Sequence, residues 1–167
     1  MILQFLCEKR DSILKRWLTL ISNTYPGEGA RFLAGEQNNF ANPVGAAMRA
    51  MAERVYGECA GDMNRESIAC GLEEFIKMRA VQDFAPSSAI GFVFLLKRAV
   101  IDEMTECRIQ PAAIIDYADF NTRVDEIAMI GFDIYMHARE LLHELRSSEM
   151  RRRNFRESRK TSVCDGK

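Results

Sequence analysis

Between Ile90 and Leu96 the chain reads IGFVFLL, and no winding of that segment leaves a polar stripe. A helix that is apolar all round has to be enclosed by neighbours, so the rest of the fold must be built around it. The segment belongs to a longer stretch, Met78 to Met104, in which one amphipathic helix ends and the chain turns at Pro86. The next helix is predicted to start at Ser87 or Ser88. It becomes one-sided only after Lys97, with Val100, Ile101 and Met104 facing in. The apolar run is far short of the roughly 20 residues that span a bilayer, so a buried core segment is expected and membrane insertion is not.

Helical periodicity accounts for most of the remaining chain. Ile2, Leu3, Leu6, Ile13, Leu14, Trp17, Leu20 and Ile21 share one face of a helix predicted over 2–22, with the stem of Arg10 packed and its head at the surface. Pro26 and two glycines end it, and a short helical piece, GARFLAGE, follows. Asn42-Pro43 is an N-cap followed by a first-turn proline, opening a helix that buries Val44, Met48, Met51, Val55 and Cys59. Gly61-Asp62 closes it. Asn64 caps the next helix, whose inward face is Ile68, Leu72, Phe75 and Ile76. After a connection at Cys107–Pro111, with Pro111 placed in the first turn of the last helix, a heptad-like pattern runs from Phe120 to Leu145.

That pattern is Phe120, Val124, Ile127, Gly131, Ile134, Ala138, Leu141 and Leu145. Gly131 and Ala138 are small enough to admit a second helix closely. Met129, Phe132 and Met136 lie on the other side, so the middle of the helix is expected to be covered on both faces. Beyond Glu140 only Leu141, Leu142 and Leu145 are apolar, and the helix is expected to project. The prediction is an all-α, single-domain bundle of about five to seven helices over 1–149 with a long C-terminal helix, then a basic, flexible tail over 150–167.

Two polar features stand out. Arg79 continues the inward face of its helix, and Asp83 falls one turn later if that helix persists, so an i,i+4 ion pair is expected beside the Pro86 break. It can close a helix end, or form a polar patch that a ligand engages. The tail carries Arg151, Arg152, Arg153, Arg156, Arg159 and Lys160, yet the whole chain has a net charge of −1. That balance argues against a nucleic-acid binder.

Catalytic and metal constellations are not evident. Five cysteines are scattered without a C-x-x-C pair, which suits a reducing cytoplasm. Glu140 and His143 have E-x-x-H spacing, but the chain has only two histidines, and Ile134 stands three residues before His137. No Gly-rich phosphate loop or Ser elbow is present, and no cofactor is expected. A redox carrier has only thiols and methionines to prompt it.

Three segments, FANPVG at 40–45, RAVQDF at 79–84 with Pro86-Ser87, and FDIYM at 132–136 with Arg139-Glu140, together resemble the RsbRD-type N-terminal domain, named from RsbT co-antagonist proteins of the bacterial stressosome. The likeness runs from about Leu3 to Glu149. It implies an all-helical sensory or regulatory module without established catalytic residues. Stand-alone members near sulfur-respiration genes in anaerobes imply a protein partner supplied in trans. On these grounds the expected function is non-catalytic interaction, cytoplasmic, with a homodimer able to cover the C-terminal helix. A small-molecule sensor with a core pocket near Arg79 and Asp83 is the alternative. Candidate contact residues are Arg79, Asp83, Phe84, Asp133, Tyr135, Arg139, Leu141 and Leu145.

Overall fold

The computed structural model describes residues 2–25, 42–109 and 116–164, with side chains to residue 155. The helical piece expected at GARFLAGE and the placement of Pro111 lie outside these residues. Among the described residues the fold is all-α: α1 (Ile2–Glu8), α2 (Arg10–Ser22), α3 (Pro43–Ala60), α4 (Arg65–Val81), α5 (Pro86–Ile90), α6 (Leu95–Glu106) and α7 (Tyr117–Cys164). Helix α4 is central and packs against both α3 and α7, while α2 packs on α6 and α3.

The caps follow the sequence. Asn42 Oδ1 accepts from the Gly45 N–H at 2.7 Å with Pro43 in the first turn, and Asn64 Oδ1 accepts from the Ser67 N–H at 2.9 Å. Each satisfies an N–H that the helix itself leaves without an acceptor. At its other end α3 is closed from outside: Arg123 of α7 donates to the carbonyls of Cys59 and Gly61.

The predicted inward faces are largely buried, with Trp17, Ile21, Met51, Val55, Leu72, Phe75, Val100 and Met104 in one core, but Ile101, expected to face in beside Val100, is exposed at the flank of that face. Gly131 does admit a second helix. A Cβ at that position would lie 3.2 Å from Ile76 Cδ1 of α4. A buried carboxylate, Glu103, joins α6 to α2 by accepting from Ser12 Oγ at 2.5 Å and Arg16 at 3.2 Å. Arg10 keeps its head exposed and pairs with Glu53.

Two helices read as continuous are broken, and both breaks have the same physical cause. The first interrupts 2–22 at Lys9. There the Leu6 carbonyl, which would serve the Arg10 N–H in an unbroken helix, accepts the Tyr56 hydroxyl at 2.8 Å. The second splits the Ser87–Met104 helix, leaving turns at 91–94 between α5 and α6. Arg79 takes the Ser88 carbonyl and Trp17 takes that of Phe92, both at 2.8 Å. Backbone bonds then tighten to i→i−3 at Val93, Leu95, Leu96 and Lys97. A side chain that enters the i→i−4 ladder kinks or breaks a helix. The enclosure of Ile90–Leu96 is also incomplete, because the break turns Phe94 outward.

Candidate functional site

The expected Arg79–Asp83 pair does not form. Helix α4 stops at Val81, and Asp83 has φ 58°. The Phe84 N–H reaches the Arg79 carbonyl and the Asp83 N–H that of Ala80, the Schellman arrangement with its left-handed residue at Asp83. Aspartate tolerates that conformation better than most residues. The turn sends the two side chains in different directions: Arg79 goes into the core and Asp83 goes to the surface.

Arg79 is fully buried. One guanidinium nitrogen donates to the Ser88 carbonyl at 2.8 Å and another to Thr24 Oγ1 at 2.8 Å. Around it stand the rings of Tyr25, Phe75, Phe84 and Phe92, with centroids 4.8–5.1 Å from the guanidinium carbon. These π-faces attract a cation, more strongly when it is desolvated. Among the described residues no carboxylate pairs with it, and Nε has no acceptor. Burial holds the Arg79 pKa below its ordinary value, with Tyr25 opposing.

The turn that carries Asp83 is clamped to α7. Arg139 donates to Asp83 Oδ1 at 2.6 Å and to the Ala80 carbonyl at 3.2 Å, and Arg146 approaches Asp83 at 3.7 Å. The buried Tyr135 hydroxyl donates to the Phe84 carbonyl at 2.5 Å. The hydrogen bond from Arg139, reinforced by the charge of Arg146, holds the Asp83 carboxyl below the usual range. A lowered carboxylate pKa favours the folded clamp above the unfolded value and loses that contribution as pH falls through the folded one. Protection of the Ala80–Phe84 amides, taken against the intrinsic exchange rate at each pH, is therefore expected to fall on acidification below the ordinary carboxylate range. Asp83→Asn should show weak protection at every pH, and an unchanged native protection profile in the variant would refute the clamp.

Five of the eight candidate residues thus meet at one place: Arg79 beneath the α4–α5 turn, Asp83 and Phe84 within it, Tyr135 and Arg139 across from it. Asp133 does not join them and lies 3.6 Å from Arg65 in an exposed pair. Leu141 and Leu145 are further along α7 and exposed. Thr24, Tyr25, Ser88, Phe92 and Arg146 also belong to the cluster. No periodicity marked them, because they enter from the residues just after α2, from α5, from the 91–94 turns and from α7 beyond Leu145.

Met129, Phe132 and Met136 are not covered, contrary to the two-sided reading. They are 64%, 43% and 48% exposed. The bundle lies on the opposite side of α7, against Val124, Ile127, Gly131 and Ala138, and nothing among the described residues packs over the outer stripe. His137 and His143 are exposed, and no group of three His, Cys, Asp or Glu among the described residues can hold a metal ion. Burial raises the Cys59 thiol to about 12, which makes it a poor nucleophile. Among the described residues no helix is long and apolar enough to cross a membrane.

The family model of the RsbT co-antagonist protein rsbRD N-terminal domain matches residues 11–150. The chain belongs to this family. The RsbRD N-terminal domains are regulatory signalling domains and are not known as enzymes. The match covers the Arg79 cluster, the clamp and α7 as far as Met150. No curated protein and no solved structure matches the chain.

Proposed function

We propose that this RsbRD N-terminal domain is a non-catalytic regulatory module that acts in trans in the cytoplasm, docking a protein partner through α7. The observation that carries this reading is the continuation of the core-facing stripe past the bundle. Leu141 and Leu145 follow Ile134 and Ala138 on one helix face, yet Leu145 is 61% exposed. A helix that keeps its apolar register after the bundle stops covering that face offers it to another helix. Membership of a signalling family supports the same reading.

The test is a Leu141→Glu/Leu145→Glu double variant, compared with the native protein by light scattering and by capture of partners. Burying two leucines contributes roughly 1.5–3 kcal/mol each, so the variant should weaken association at least about 100-fold. A folded variant that keeps its oligomeric state and every partner would sink the proposal. A homodimer dissolved by the double variant would make the partner a second copy of this chain.

A further inference from the structure

Over the Arg79 guanidinium opens a cavity of about 600 Å³, lined by Thr24, Phe84, Ser88, Phe92 and Leu95, with Asp83 at its rim. Arg79 itself lies just under this lining, since its two bonded partners are Thr24 and Ser88 and two of its four rings are Phe84 and Phe92. A fully buried cation that has only neutral partners among the described residues, with no acceptor there for its Nε, is an incomplete arrangement for a site that borders such a cavity. We propose that the cavity binds a small organic monocarboxylate, its apolar body against Phe84, Phe92 and Leu95 and its carboxylate accepting from Arg79 in place of the Thr24 hydroxyl.

Thr24 is the displaceable partner. It is an exposed residue just beyond the end of α2, and its hydroxyl also donates to the Ile21 carbonyl at 2.7 Å, so it has a bond to keep when Arg79 is taken from it. A carboxylate in its place forms a charge-assisted hydrogen bond, stronger than the neutral one it replaces. One carboxylate fits better than two, because Asp83 already puts a negative charge at the rim, where Arg139 and Arg146 hold it. The mainly apolar wall excludes a bare inorganic anion as the best occupant. Phe84 is at once a wall of the cavity and, through its carbonyl, the seat of the Tyr135 hydroxyl, so a ligand that moves Phe84 is felt on α7. The site does not depend on α7 docking a partner.

The test uses butyrate and benzoate against butyramide and benzamide at constant ionic strength, read by thermal melting and by the Nε–H resonance of Arg79. A carboxylate at ten times its Kd should raise the melting temperature by roughly 3–6 °C and shift that resonance, while the amides do neither. Ala85→Trp, at the exposed rim, should abolish both effects with little change in the melting point of the free protein, and Arg79→Met should abolish the melting shift. Should Arg79→Met fail to fold, Ala85→Trp and the resonance decide. Equal stabilisation by acid and amide, no response to either acid at its highest soluble concentration, or a full response in Ala85→Trp would overturn the proposal.

Discussion

Replacing Arg79 with alanine should cost about 3–5 kcal/mol, enough to leave a domain of ordinary stability close to unfolding. The loss has two parts. The side chain fills the space between four rings, and its removal leaves a hole there. It also strips the Ser88 carbonyl of its donor at the gap between α5 and α6, where the local ladder is already interrupted. Arg79→Met separates these parts. Methionine keeps most of the volume and gives up a desolvated charge, so its cost should be clearly smaller than that of alanine. Arg79→Lys should resemble alanine more than methionine, because an ammonium on a flexible stem does not reproduce a fork reaching two acceptors in different segments of the chain. Urea unfolding of the three variants gives the order. A cost for alanine below about 1 kcal/mol would show that the guanidinium is not a structural centre.

Trp17→Ala is expected to be comparably severe, at about 4–5 kcal/mol. Trp17 is fully buried and is the largest side chain in the core. Its indole N–H is also the donor that holds Phe92 in the 91–94 turns. Trp17→Phe isolates that second role. The Phe92 carbonyl retains the Leu95 N–H at 3.2 Å, so losing the indole should cost only about 1–2 kcal/mol beyond the change in packing. Denaturant midpoints of both variants, with the slope held constant, measure the difference. If phenylalanine proved as damaging as alanine, the hydrogen bond and not the volume would be the main contribution.

These two residues also explain which parts of the fold were legible in the sequence. The inward faces and the caps at Asn42 and Asn64 were, because periodicity and local side-chain bonds determine them within a few residues of chain. The breaks at Lys9 and at 91–94 were not. They are made by Tyr56, Trp17 and Arg79, whose hydroxyl, indole and guanidinium arrive from elsewhere in the chain and take carbonyls that local pattern assigns to the helix. The end of α4 was hidden for a different reason. A left-handed terminal residue is usually announced by glycine or asparagine, and here it is Asp83. Extending α4 by one turn gives the wrong partner for both Arg79 and Asp83, which the turn at Asp83 sends to the core and to the surface. The outer stripe of α7 misled because apolar spacing reports that a face is sticky, not whether the same chain covers it. Met129, Phe132 and Met136 satisfy the period as well as any core position does.

Helix α7, 48 residues long, measures about 72 Å at 1.5 Å per residue. Its attachments to the bundle run from Phe120 to Arg146, so the part beyond Arg146 acts as a lever whose fulcrum is the bundle. A rotation of about 5° at Arg146 carries Cys164, about 27 Å farther on, through roughly 2.4 Å, a little under half the rise of a helical turn. Displacements too small to disturb the packing of the core therefore become, at the far end, large enough to change which residues a neighbour meets.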